Sequence, residues 1–377
     1  MISSPREKSI FRHIGQISWV VILVILTLTA IGIVMLYSAA DGHMHPWATK
    51  QMVRLLFGFT IMVGMACVDV RWWLSKAYFL YGIFLILLIV VEIVGFIGKG
   101  GQRWIDLYVF HLQPSELMKI ALILVLARYF HGLSQEMVKS FRSLLIPTLL
   151  IAIPSLLVMR QPDLGTAMIF IFSGITLFFV AGVQIWKFCL VGTLGAASIP
   201  ILWQFLRDYQ KNRILTFLDP ERDPFGAGYH ITQSKIALGS GGIFGKGFLK
   251  GSQSHLNFLP EKQTDFIFTM YCEEFGFVGA IVLIALYSII LLYGLKVSLK
   301  SRSHFGRLVA IGMTSTFFFY VFINMAMVMG ILPVVGVPLP LVSYGGTAML
   351  TILMGFGILM SVQTHQGVRI NRGGMSD

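Results

Sequence analysis

Leu259-Pro-Glu-Lys-Gln-Thr-Asp265-Phe-Ile-Phe268 sets a carboxylate at the mouth of an apolar helix, at the end of the one long polar stretch in a chain that otherwise reads as membrane. An ionised side chain is costly at a lipid boundary and persists there when something uses it. On both sides of this segment the sequence runs in apolar stretches of the length a helix needs to cross a bilayer, about 20 residues. Ten are read, near 17–38, 51–68, 77–98, 116–131, 144–160, 165–183, 187–207, 266–295, 307–331 and 343–364. With 56% hydrophobic and 12% charged residues out of 377, the composition is far from that of soluble domains, which carry roughly 25% charged residues. The expected fold is an all-α integral membrane protein with ten transmembrane helices, forming a single polytopic domain over 1–377. Tails at 1–16 and 366–377 are expected in the cytoplasm, with a large extracytoplasmic loop over 208–265 and a re-entrant segment before the last helix.

The net charge of +12 would suit a nucleic-acid partner, but its distribution excludes one. Basic residues gather at alternate helix ends: Arg6, Lys8 and Arg12; Arg71 and Lys76; Lys139 and Arg142; Lys187; Lys296, Lys300, Arg302 and Arg307; Arg369 and Arg372. That alternation is the positive-inside pattern, with both termini in the cytoplasm. The first apolar run is too long for a signal-peptide core and leads straight into further spans, so it is read as retained. The loop over 208–265 has seven Lys/Arg against six Asp/Glu, a mixture rather than a polyanion-binding arm. Cys67, Cys189 and Cys272 fall inside apolar spans at spacings that suit neither a metal nor a disulfide framework, and are read as core filler.

Two irregular segments stand out. In the polar loop, Asp219-Pro-Glu-Arg-Asp-Pro224 reads as consecutive turns. A short helix follows around 227–238, with Ile231, Ile236 and Leu238 available to a membrane surface or a cavity. Gly239-Ser-Gly-Gly-Ile-Phe-Gly-Lys-Gly247 then reads as a flexible stretch. It is no Walker A loop: the positions that need a glycine and a hydroxyl hold Ser240 and Gly247, and no strand leads into it. Its backbone N–H groups and Lys246 suit an anionic lipid head better. The second segment, Leu332-Pro-Val-Val-Gly-Val-Pro-Leu-Pro-Leu-Val-Ser-Tyr-Gly-Gly346, has three prolines, three glycines and no charge. Irregular backbone at membrane depth needs protein or a wet cavity to satisfy it, so the expectation is a re-entrant cavity wall, with a plain tight turn as the alternative.

Asp265 fits two roles: an N-cap for the helix that begins at Phe266, and a general base, partly desolvated at the bilayer edge. Pro114 and Ser115 after Gln113 mark a helix start, which puts Glu116 in the first turn and Lys119 on the same face. They are either an intrahelical ion pair or part of a site facing the same side as Asp265. Arg103 and Arg160-Gln-Pro-Asp163 lie on that side too, and converging cations would match phosphate oxygens. Glu92, Glu273, Glu274 and Asn324 lie within apolar runs and are expected to tie helices together.

Five motifs, in this order, carry a resemblance: Gly101-Gln-Arg-Trp-Ile-Asp106, Gln113-Pro-Ser-Glu-Leu-Met-Lys119, Arg160-Gln-Pro-Asp-Leu-Gly-Thr166, Asn257-Phe-Leu-Pro-Glu-Lys-Gln-Thr-Asp-Phe-Ile-Phe268 and Pro338-Leu-Pro-Leu-Val-Ser-Tyr-Gly-Gly346. With them the chain resembles, over nearly its whole length, the SEDS family (shape, elongation, division and sporulation), and its elongation branch rather than its division branch. The resemblance implies a peptidoglycan glycosyltransferase that polymerises lipid II on the outer face of the bacterial cytoplasmic membrane, with the essential aspartate at Asp265. It also implies a class B penicillin-binding transpeptidase and an actin-like elongation machinery as partners, alongside membrane lipid. On that footing Asp265 is the base, with Glu116 and Lys119 supporting it. Arg103, Arg160, Asp163, Arg213, Lys246 and Ser343 are candidate substrate contacts. Countercharge for the diphosphate is expected from Arg, Lys or a divalent cation, Mg or Mn, with the metal left open. The competing classes are a lipid II flippase, which would spread polar groups through the membrane, and a non-enzymatic scaffold for a cell-wall synthase, which would tolerate substitution of Asp265.

Overall fold

The computed structural model describes residues 18–98, 101–106, 111–205, 208–219, 222, 226–255 and 261–371. Helix forms at each of the ten stretches expected from hydropathy. In chain order these are α1 (Trp19–Ala39), α2 (Ala48–Ala66), α3 (Val70–Val94) and α4 (Pro114–Gly132), then, after the short α5 (Gln135–Val138), α6 (Phe141–Arg160), α7 (Leu164–Ala181) and α8 (Ile185–Phe205). The polar loop contributes α9 (Asp208–Leu218), α10 (Ala227–Ser240) and α11 (Ser252–His255), before α12 (Ile267–Lys300), α13 (His304–Val328) and α14 (Gly346–Thr364). Seven of them (α1, α3, α6, α7, α12, α13 and α14) are long and apolar enough to cross a membrane. Ionisable residues lower the hydropathy of α2 and α4, and the apolar part of α8 is short, Ile185–Pro200. The expected tails fall largely outside the described residues, as does most of the Asp219–Pro224 turn.

The fold is mostly, not wholly, helical. Between α3 and α4 lie three short antiparallel strands in the order β1 (Phe96–Gly98), β2 (Gly101–Asp106) and β3 (His111–Leu112). The run that forms β2 is too short to nucleate helix and carries the strand-formers Trp104 and Ile105.

At the centre, α4 packs on α3, α7 and α13, and α13 packs in turn on α7, α12 and α14. A helix that is apolar all round belongs inside, and from Met118 to Ala127 every residue of α4 is buried. α2 runs along α14, and α1 along α12. α8 differs, exposing Val191, Leu194 and Ile199. Cys189 on α8 is exposed and Cys67 half-buried, so of the three thiols read as core filler only Cys272 is buried.

α12 is broken at Gly276 (φ 65°, ψ −162°), and the glycine run fills the break. Lys246 N donates to Glu273 O and Gly247 N to Glu274 O, each at 3.0 Å; Phe277 N and Val278 N donate back to Gly242 O at 2.9 Å and Ile243 O at 3.0 Å. The segment expected to be flexible is therefore docked, because the broken helix offers it unpaired backbone groups. Glycine is required by contact as well as angle: at Gly245 (φ 82°) a β-carbon would lie 2.1 Å from Glu274 O.

Gly245→Ala is expected to lower the thermal unfolding midpoint of the purified protein in detergent by about 5 °C or more. Gly239→Ala is the control. Its β-carbon meets open space, so it should stay within roughly 1 °C of the native midpoint.

Candidate active site

Asp265 sits in the turn that enters α12. The N-cap is Phe266, so the aspartate lies one residue before the cap position assigned to it by sequence. Asn324 of α13 holds this turn, donating its amide to Asp265 O at 2.9 Å and to Val337 O at 2.7 Å. Ser343 Oγ donates to Thr264 O at 2.6 Å, and Tyr344 N to Gln263 O at 2.8 Å. The Pro/Gly segment over 332–346, where a re-entrant wall is expected, therefore runs as irregular, mostly buried to half-buried backbone against the aspartate turn. At Gly336 (φ 70°) a β-carbon would come 3.5 Å from Asp265 Oδ2, which places the half-buried carboxylate against that wall.

One turn back on α13, Tyr320 joins the second constellation. Glu116 and Lys119 are each 3% exposed. Lys119 Nζ donates to Glu116 Oε1 at 2.7 Å and to Tyr320 OH, and Tyr320 OH donates to Glu116 Oε2 at 2.5 Å. The ammonium also lies 4.3 Å from the Tyr320 ring centroid. Such a buried pair holds only when both charges keep their hydrogen bonds. A cavity of ≈ 40 Å³ extends from Lys119 and Tyr320 between α4, α12, α13 and α14, walled by Ile123, Met313 and Phe356. Because Tyr320 and Asn324 are a turn apart, the Glu116–Lys119 pair and the Asp265 turn share one end of the bundle. Tyr320 was not singled out by sequence: within α13 it looks like any core aromatic.

The expected substrate cations divide. Arg103 on β2 is tied to the α6–α7 hairpin, donating to Gln161 O at 2.9 Å and to Pro162 O, with Asp163 Oδ2 3.9 Å away. Asp163 is buried and caps α7, accepting from Thr166 N at 3.1 Å and Thr166 Oγ1 at 3.0 Å. Both side chains are thus engaged within the chain. Lys246 is engaged within the chain: its ammonium donates to the fully buried Glu273 Oε1 at 2.7 Å and to Ser252 Oγ at 2.8 Å. Ser343 is buried too, its hydroxyl accepting from Leu339 N at 2.7 Å. Arg160 is different, with a side chain 72% exposed and only a 3.9 Å approach to Glu92 Oε1. The side chain of Arg213 lies outside the described residues. Glu274 accepts from Ser38 of α1 at 2.5 Å, so Glu273, Glu274 and Asn324 do tie elements together.

The sequence signature of the cell cycle protein family that comprises FtsW, RodA and SpoVE matches residues 18–367. Over 368 residues the chain is 45% identical to the peptidoglycan glycosyltransferase MrdB of Escherichia coli (strain K12), covering 97% of this chain and 98% of that protein. Among solved structures, a chain from work on the structural coordination of polymerization and crosslinking by a peptidoglycan synthase complex matches with a TM-score of 0.80 at 31% identity, covering 93% of this chain and 98% of that one. An aspartate-to-alanine variant of the rod shape determining protein RodA from Thermus thermophilus matches with a TM-score of 0.70 at 27% identity, with coverages of 93% and 98%.

The buried pair gives a stability test. Lys119→Met leaves the Glu116 carboxylate buried without its cation and should cost about 3–5 kcal/mol. The double variant Glu116→Gln, Lys119→Met should regain most of that loss. Thermal denaturation of the purified variants reads both.

Proposed function

The chain belongs to the FtsW/RodA/SpoVE family of cell cycle proteins, the SEDS family that its motifs resemble, and from that membership and the Asp265 turn we infer that it is a peptidoglycan glycosyltransferase. It is a multi-pass membrane protein. All ten long helices are taken to span the bilayer of the bacterial cytoplasmic membrane. The alternation of basic residues puts both termini in the cytoplasm and the Asp265 end outside, the side on which lipid II would be polymerised.

The observation that carries the mechanism is a carboxylate held by its backbone, at the irregular wall, at the mouth of α12. The acceptor is a sugar 4-hydroxyl of incoming lipid II. Asp265 takes its proton as the oxygen bonds to the anomeric carbon of the donor chain. The bond from that carbon to the diphosphate breaks, and the leaving diphosphate keeps the electron pair. One displacement inverts an α linkage to a β linkage, so no covalent sugar intermediate is needed. A glycosidase requires a second carboxyl as acid to expel a poor leaving group, whereas a diphosphate requires countercharge. A divalent cation, Mg or Mn, would supply further countercharge to the diphosphate; among the described residues no group of three or more His, Cys, Asp or Glu side chains is placed to hold one. Glu116, Lys119 and Tyr320 act as support, fixing α4 against α13 beside the aspartate turn.

A synthase complex that coordinates polymerization and crosslinking contains a chain of this fold, which supports a crosslinking partner of the class B penicillin-binding transpeptidase type. An actin-like elongation machinery is proposed on the family resemblance alone.

Asp265→Asn should fold as the native chain does and lose polymerisation by about 10²–10⁴-fold, the usual worth of a positioned base. Glycan products on a gel, from purified protein given lipid II, measure it. A folded variant working at the native rate removes Asp265 from the role of base.

A further inference from the structure

α14 starts at Gly346 behind Gly345, an N-cap residue with no side chain, and no side-chain hydrogen bond caps it. A helix start offers unsatisfied N–H groups and a partial positive charge of about half an elementary unit. Against this end lies another positive group. A β-carbon at Gly346 would sit 3.1–3.3 Å from three atoms of the Arg54 guanidinium. The guanidinium also stacks on Tyr344, 4.5 Å from the ring centroid. Arg54 Nη1 is buried with no hydrogen-bond partner. So is Oγ1 of Thr347, the second residue of α14, which is only 5% exposed. A turn before Arg54 on α2, the fully buried Gln51 donates to Ser343 O at 3.1 Å and leaves its Oε1 unpartnered.

A guanidinium and a helix amino end repel each other unless an anion lies between them. No carboxylate answers Arg54 among the described residues. The site also adjoins the aspartate turn, since Ser343 Oγ and Tyr344 N, just ahead of α14, bind Thr264 O and Gln263 O.

We propose that Arg54, Thr347 and the first backbone N–H groups of α14 form the subsite that holds the diphosphate of the lipid-linked glycan. This rests on the glycosyltransferase reading above. A diphosphate supplies acceptor oxygens for each orphaned donor: a planar guanidinium, a hydroxyl and helix N–H groups. The Tyr344 ring fixes the guanidinium plane before the ligand arrives. As the sugar–diphosphate bond breaks, negative charge grows on the leaving group, and these donors would stabilise it. Arg54 thereby takes the role that sequence suggested for Arg103, whose guanidinium is engaged by the hairpin carbonyls.

The test uses the full chain in nanodiscs with labelled undecaprenyl diphosphate, undecaprenol and inorganic diphosphate. Arg54→Gln should bind undecaprenyl diphosphate about 10-fold or more weakly, the scale of a charge-assisted hydrogen bond. Arg54→Lys should recover part of that loss. Thr347→Val, which removes only the hydroxyl, should weaken binding about 3-fold or more. Undecaprenol, which lacks the anion, should bind all variants alike. Competition by inorganic diphosphate in the native chain, lost in Arg54→Gln, would show that the anion alone is recognised. Competition by the lipid-linked form only would show a headgroup held together with its chain; either result supports the subsite. Native-strength binding of undecaprenyl diphosphate by both Arg54→Gln and Thr347→Val overturns it, and if Arg54→Gln fails to fold, Thr347→Val decides alone. Asp265→Asn should keep native binding. A native chain that makes no glycan, while Arg54→Gln still loses the diphosphate, would sink the transferase reading and leave the anion site standing.

Discussion

Backbone polar groups within a lipid-embedded protein must be paired by the protein itself, and one side chain meets that requirement where it matters most. Asn324 donates one amide group to two carbonyls, Asp265 O and Val337 O. These belong to the two irregular stretches that flank the site, the turn entering α12 and the Pro/Gly wall. With Ser343 and Tyr344 adding two more bonds between the same stretches, the aspartate is positioned by its main chain.

The same constraint is met a second time, eleven residues along. The break in α12 at Gly276 frees carbonyls and N–H groups, and the glycine run of the polar loop returns to pair with them. Glu273 adds a buried carboxylate that Lys246, Ser252 Oγ and Gln253 N together satisfy. The short first piece of α12 is thus held at both ends, by the wall at Asp265 and by the glycine run at Gly276. A displacement of the polar loop would break four backbone bonds before it reached the aspartate. The loop and the aspartate turn are in this sense one mechanical unit.

How much of this was legible depended on how far apart in sequence the deciding partners lie. Hydropathy located the long helices because burial and lipid exposure act residue by residue. Proline and glycine marked the 332–346 wall because their backbone limits are local. The small sheet was missed: its strands are too short for alternation to stand out. Arg103 and Lys246 were legible as charges, but sequence could not say that their partners were Gln161 O and Glu273. Tyr320 reaches Glu116 across 204 residues, with no local signal to mark it. Arg54 has no local signal either: only the uncapped start of α14, nearly 300 residues on in the chain, gives it an object.

An inverting transfer requires base and leaving group on opposite faces of the anomeric carbon, and both partners here are anions. A carboxylate beside a diphosphate would have its proton affinity raised and its charge repelled, so the two must be kept apart by protein or by the sugar itself. The segment from Ser343 to Thr347 does this by position. Its leading residues are bound to the aspartate turn, and its trailing residues form the positive start of α14 against Arg54. A donor sugar lying across the segment would present its anomeric carbon to an acceptor hydroxyl on the Asp265 side and its diphosphate towards Arg54. The glycine at 346 then has a physical purpose: a side chain there would press on the guanidinium.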